Sequence, residues 1–223
     1  ERSLKLFGSR FYPTSISSAV ILFQKGEDCS DAIKSYINYR EQNPLIEFYH
    51  SILPLIIQDD TQYVGISVNY SGQIIPAITL AALIKKAFSR VKIIFGGSLF
   101  PAYANKISAL NIFAEYSDAL IIYAGEYPWN NIIEYDTLDY IPGCMRSNGH
   151  SFIHNNLPLP QIKRALPDFS DYSLQRYLVP HNILPYAMSI GCYWGKCSFC
   201  GYQSYKDICV KRYAQNDIDL GNY

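Results

Sequence analysis

Three cysteines, Cys192, Cys197 and Cys200, fall within the segment Gly191-Cys192-Tyr193-Trp194-Gly195-Lys196-Cys197-Ser198-Phe199-Cys200-Gly201-Tyr202. The spacing is C-x4-C-x2-C, which lets three thiolates close around one metal centre. Gly191, Gly195 and Gly201 let the loop turn tightly around it. Thiolates are soft ligands, suited to zinc or to iron–sulfur clusters. Cys29 and Cys144 stand alone, and Cys209 follows nine residues after Cys200. Clustering of this kind, in a chain that does not open on a basic-then-apolar export signal, points to a metal rather than to disulfides.

The composition bounds what else the chain does. It has 223 residues, 49% of them hydrophobic, enough to bury a substantial core. Lys+Arg and Asp+Glu both number 19. Zero net charge argues against bulk nucleic-acid binding and against an acidic disordered tail. No apolar run reaches the roughly 18 residues that span a bilayer, so neither nucleic acid nor membrane is an expected partner. The 20 tyrosines read as core and pocket material.

The elements that must position the cysteines alternate in type. The first sixty residues read as helical: Ser18–Phe23 is apolar and stops at Lys25-Gly26, and a helix capped by Asp28 or Ser30 runs to about Glu41. Asn43-Pro44 breaks it, and a further helix starts behind Pro44. Three apolar runs then read as strands: Tyr63–Val68, Val91–Phe95 and Ala119–Tyr123. The intervening segments, Gln73–Phe88 and Pro101 to about Leu110, read as helices, with a short one at Pro128–Glu134. Strands apolar on both faces and separated by helices imply a parallel sheet covered on both sides. Ligands of such sheets bind beyond the carboxyl ends of the strands. Those ends carry Ser67 with Asn69–Gly72, Gly96-Gly97-Ser98 and Gly125-Glu126. Glycines there either admit a ligand backbone-close or simply turn the chain. No GxGxxG and no Walker lysine is present, which argues against those phosphate sites. Residues 141–156 read as a hairpin about Asn148-Gly149, 156–172 as a proline-containing linker, and Tyr186–Ile190 as a strand leading into the cysteines.

Four occupants of the cysteine loop compete on this basis. Structural zinc would need Cys209 as fourth ligand, and Cys209 lacks the near partner of a paired zinc arm. A plant-type ferredoxin cluster shares the spacing but needs a fourth cysteine further on, and Trp194 and Phe199 are bulky for such a loop. An unmetallated or disulfide role is the third. The fourth is a three-cysteine 4Fe–4S cluster with one iron left open, a chemical handle like the open position of catalytic metal sites.

The strand-then-loop Gly-Cys-Tyr-Trp-Gly-Lys-Cys-Ser-Phe-Cys-Gly resembles the cluster loop of radical SAM enzymes. Their usual spacing is C-x3-C-x2-C, and the longer first gap here resembles a subset with an N-terminal cobalamin-binding-like domain. Val64–Val68, Ile93–Gly97 and Ala124-Gly125-Glu126 follow the order of that domain, and Leu166-Pro167-Asp168-Phe169 is similar to the linker before the cluster strand. The resemblance covers roughly residues 60–220. It implies that Cys192, Cys197 and Cys200 ligate three irons and that the fourth chelates the amino and carboxylate groups of S-adenosylmethionine. Phe199 would lie near the adenine, and backbone N–H groups of Lys196, Ser198 and Gly201 would tune the cluster. Reductive cleavage would give methionine and a deoxyadenosyl radical that attacks a peptide or small-molecule substrate, in a methylation or another modification. The loop's aromatics resemble those of maturases of ribosomally made peptides. An electron donor such as flavodoxin or ferredoxin, and a reducing cytoplasm, are implied as well. Ser67, Gly96, Gly97, Gly125 and Glu126 are the candidate cobalamin contacts.

This chain departs from the family in several places. The Asp-x-His-x-x-Gly motif of an axial histidine is absent, and His50 falls in a helix where a surface or core role is expected. Ile190-Gly191-Cys192 replaces the frequent Arg-Gly-Cys, and Cys209 lies outside the motif and reads first as a buried thiol. Only 23 residues follow Cys200, too few for the family's barrel. With no initial Met, this predicts an enzyme truncated at one or both ends, inactive alone. The expected architecture is α/β: a helical segment (1–60), a Rossmann-like doubly wound parallel sheet (61–140), a hairpin and linker (141–182), and the beginning of a partial (β/α) barrel (183–223). The rival from another class is a zinc-stabilised binding module without catalysis; a third reading is a flavodoxin-like domain with an incidental cysteine tail.

Overall fold

In the computed structural model the first sixty residues hold α1 (Arg2–Ser9), a short ladder of β1 (Ser15–Ile16) and β2 (Ile21–Leu22), α2 (Ser30–Asn38) and α3 (Leu45–Ile56). The ladder corrects the helical expectation at Ile21–Leu22; residues 17–20 lie outside the described residues. Ile16 and Ile21 are register partners across antiparallel strands, and β-branched residues favour strand backbone. Phe23 behind them is buried edge-on against Tyr36, with ring centroids 5.0 Å apart. The two later helices follow the sequence reading. α2 turns Ile33 and Tyr36 inward, and α3 begins directly behind Pro44, whose missing N–H costs nothing at a helix start. The structure describes residues 2–11, 14–16, 21–23, 30–103, 110–155, 157–158, 168–176, 181, 184, 194 and 196–198.

The predicted strands form β3 (Tyr63–Ser67), β4 (Lys92–Gly96) and β5 (Ala119–Ile121), joined by α4 (Ile74–Ala87) and, after a turn at Phe100–Tyr103, by α5 (Asn111–Glu115). Of the helix expected over Pro101–Leu110, the first residues belong to a 3-10 turn, Phe100–Tyr103, residues 104–109 lie outside the described set, and a short helix begins at Asn111. After β5 come α6 (Glu126–Tyr135), β6 (Cys144–Ser147) and β7 (Phe152–Ile153). The five strands lie in the order β3-β4-β5-β6-β7. The first three are parallel, and β6 and β7 are antiparallel additions. The predicted hairpin thus completes the sheet, turning at Gly149, whose φ of 88° suits glycine.

Alternation along each strand makes two cores. Ile66, Ile93, Phe95, Leu120, Met145 and Phe152 face α2, α3, α4 and α5. Ile94, Ala119, Ile121 and Cys144 face Trp129 and Ile132 of α6. The sheet is covered on both sides, a Rossmann-like α/β arrangement. α4 buries Ile75, Ile78, Ala81 and Ile84, each isoleucine contributing roughly 1.5–3 kcal/mol of burial. Phe113 packs edge to face against both Phe95 and Phe100, each with ring centroids 5.0 Å apart. Asp118 pins β4 to β5: its carboxylate accepts from Ile93 N–H at 2.8 Å, and its own N–H donates to Ile93 C=O at 2.8 Å.

The chain divides into two units, Glu1–Pro158 and Leu159–Tyr223. In the second, Phe169 stacks edge-on to Tyr172 and a 3-10 turn spans Leu174–Arg176. The predicted strand at 186–190 lies outside the described residues.

Candidate functional site

β4 and β5 are parallel neighbours whose following connections leave toward opposite faces, α5 to one core and α6 to the other. Such divergence opens a crevice at the carboxyl ends of the strands. Ser67 and Gly96 are register partners on that rim, and Gly125-Glu126 opens α6 above it.

Hydrogen bonds knit the β3 and β4 loops together. Val68 N–H donates to Gly96 C=O at 2.7 Å and Leu99 N–H to Val68 C=O at 3.1 Å. The Asn69 carboxamide accepts from Ser98 N–H at 2.9 Å, and its NH2 reaches the Ser67 hydroxyl at 3.3 Å. Gln73 Oε1 accepts from Asn69 N–H at 2.7 Å. Asn69, Gln73 and Ser98 thus shape the rim, a role that only their side-chain geometry reveals.

The glycines divide by cause. At Gly97, φ is 113° and a Cβ would stand 2.4 Å from Val68 C=O oxygen. Its glycine is demanded by the neighbouring backbone. At Gly96 a Cβ would make ordinary contact, 3.6 Å from Ile121 C=O oxygen. At Gly125 nothing lies within 4 Å, and Glu126 is exposed in the first turn of α6. Ser67, Gly125 and Glu126 therefore remain open to a ligand, while Gly97 is explained by the fold. The donor set is hydroxyl, amide and one carboxylate. His50, exposed on α3, is a surface residue. A corrinoid on this rim would be held by its periphery, with Ser67 and the Gly125 backbone as the available contacts.

Of the cluster residues, Cys197 is described and half-buried, while Cys192, Phe199, Cys200 and Cys209 lie outside the described residues. Exposed Lys196 places its ammonium 5.3 Å from the ring centre of Trp194, a cation–π contact. Among the described residues no group of three or more His, Cys, Asp or Glu is placed to hold a metal. The chemistry of the donor set, three thiolates at C-x4-C-x2-C, fits an iron–sulfur cluster or zinc.

A second concavity of about 520 Å³ lies under the β6–β7 hairpin, lined by Asp139, Tyr140, Cys144, Arg146, His154 and Asn155. Arg146 donates to both carboxylate oxygens of Asp139 at 2.7 and 2.9 Å, so the two charges neutralise each other. Burial, and then Asp139, push the Cys144 thiol up to about 12. It is protonated at neutral pH and is no nucleophile.

Among the described residues no helix is long and apolar enough to cross a membrane. A scan against protein-family models, a search of curated proteins and a search of solved structures each return no match.

Proposed function

We propose that the chain carries the cluster loop of a radical SAM enzyme, with Cys192, Cys197 and Cys200 as ligands of three irons in a 4Fe–4S cluster. The observation that supports this reading is the spacing C-x4-C-x2-C, entered from the β-rich run Tyr186–Ile190 and preceded by an α/β unit with a parallel sheet. Three protein thiolates leave one iron to chelate S-adenosylmethionine. When bound, the cluster and S-adenosylmethionine would supply reductive carbon–sulfur cleavage, with one electron from a donor such as flavodoxin or ferredoxin, giving methionine and a deoxyadenosyl radical. The chain's own residues position and shield. Gly191, Gly195 and Gly201 would let the loop wrap the cluster, Phe199 would lie beside the adenine, and Lys196 lies over the Trp194 ring between the first two cysteines. The rim at Ser67, Gly125 and Glu126 is where cobalamin would be held, without a cobalt–imidazole bond. The substrate class is a peptide or small molecule, and the compartment is the reducing cytoplasm.

The test is anaerobic reconstitution with iron and sulfide, then electron paramagnetic resonance of the dithionite-reduced protein with and without S-adenosylmethionine. The reading expects a 4Fe–4S signal that changes when S-adenosylmethionine is added and disappears in Cys197→Ser. Stoichiometric zinc without iron uptake in folded protein would overturn it in favour of a zinc-stabilised binding module.

A further inference from the structure

β3 is an edge of the five-stranded sheet, and its outer side is unpaired among the described residues. The direction of its backbone groups follows from the bonds at its two ends. Lys92 N–H donates to Gln62 C=O, and Val68 N–H donates to Gly96 C=O. Even-numbered residues therefore point their N–H and C=O groups toward β4, and Tyr63, Gly65 and Ser67 point theirs outward. The strand is five residues long, Tyr-Val-Gly-Ile-Ser, in unbroken register with β4. It carries no proline, no charge and no bulge, the usual devices that blunt an edge. The opposite edge, β7, has only two residues.

We propose that β3 pairs with β3 of a second copy of this chain, antiparallel about a two-fold axis through Gly65. The outward residues are symmetric about position 65, so this register is self-complementary: Tyr63 faces Ser67 of the second copy, and Gly65 faces Gly65. Each facing pair exchanges both of its N–H···O=C bonds. On the α4 side of the sheet, Val64 meets Ile66 of the second copy, an apolar pair. The flanking charges agree with it. Asp59 and Asp60, just before the strand, come opposite Ser71 and Tyr70 of the second copy rather than opposite a like charge. The contact is isologous and closes on itself, so it stops at two chains. The result is one continuous ten-stranded sheet, with Trp129 lying over Gly65 on each side of the axis.

Sedimentation velocity over a range of concentrations, with amide hydrogen exchange read residue by residue, tests this. A monomer–dimer equilibrium is expected. The amides of Tyr63, Gly65 and Ser67 should gain protection as the dimer fills, while those of Val64 and Ile66 stay protected throughout. Ser67→Pro removes one outward N–H and, within the chain, only the hydroxyl that accepts from the Asn69 NH2 at 3.3 Å, a loss that Ser67→Ala shares; it should raise the dimer dissociation constant roughly tenfold or more. Ser67→Ala, which keeps the N–H, should not. A monomer at all concentrations, with the three outward amides exchanging fast, would overturn the proposal. So would their protection in a monomer, which would mean that the edge is covered from within, or open-ended association beyond two chains.

Discussion

The indole of Trp129, on α6, occupies the space where a side chain of residue 65 would stand. A Cβ at Gly65 would lie 3.0 Å from Trp129 Cη2 and 3.3 Å from Cζ3. The missing side chain of β3 and the largest side chain of α6 are one packing unit. Gly65→Ala is therefore expected to lower stability by about 1 kcal/mol as the ring yields, and Gly65→Val by about 1–3 kcal/mol. Urea unfolding measures both. In Trp129→Leu the cost of Gly65→Ala should shrink, a coupling that a double-mutant cycle reads directly.

Gly97 and Gly125 should part company. Gly97→Ala forces a Cβ into Val68 backbone at a φ of 113° and should cost about 2–5 kcal/mol, from strain and overlap together. Gly125→Ala meets nothing within 4 Å at a φ of −85° and should stay within about 0.5 kcal/mol of the parent. Equal losses at both positions, seen in thermal unfolding, would show that the rim is built differently.

Asn43 is fully buried. Its NH2 donates to Thr79 Oγ1 at 2.9 Å and to Tyr36 C=O at 3.3 Å, and its Oδ1 accepts from Leu45 N–H at 3.1 Å. One side chain thereby ends α2, starts α3 and ties both to α4. Asn43→Ala should cost about 2–4 kcal/mol, since it strands buried polar groups on three elements. Adding Thr79→Val should recover part of that loss in chemical denaturation.

Stability should fall in alkali. The Cys144 thiol is raised from its ordinary value near 9.0 to about 12, chiefly by burial. The folded chain keeps this proton where the unfolded chain has lost it. Its contribution is complete below pH 9 and declines as pH rises through the interval from 9 to 12. Tyr63 acts with the same sign. Desolvation, and then its 2.5 Å hydrogen bond to Asp136, raise its hydroxyl from 10.0 to about 12. Urea midpoints measured from pH 8 to 10.5 should decline, and Cys144→Ala should decline less steeply.

Much of this fold was legible because the buried strands are written as uninterrupted apolar runs, and because Pro44 and Gly149 mark boundaries by backbone chemistry alone. At Ile21–Leu22 the helical expectation fails because a short apolar run is compatible with helix or strand, and only its partner at Ser15–Ile16 decides. Asn43 looked like a helix breaker, and its three-element bond set depends on contacts far away in sequence. Gly97 looked like a ligand contact, while the cause of its glycine is Val68, twenty-nine positions earlier. At the cysteine loop, spacing announces the donor chemistry without any tertiary information. The rim residues Asn69 and Ser98 have no such signature, because polar residues follow strands in most turns.

The β6–β7 hairpin has a consequence of parity. β5 ends at the rim, where Cys144 opens β6 beside Ile121; β6 runs down to Ser147 and β7 climbs back. Asn155 then donates to Cys144 C=O at 2.9 Å, returned to the level from which β6 set out. An even number of reversals leaves the exit of the chain on the same side as the ends of the parallel strands, and a single added strand would have delivered it to the other. Two residues of β7 are enough to bring the backbone back to that side at Asn155.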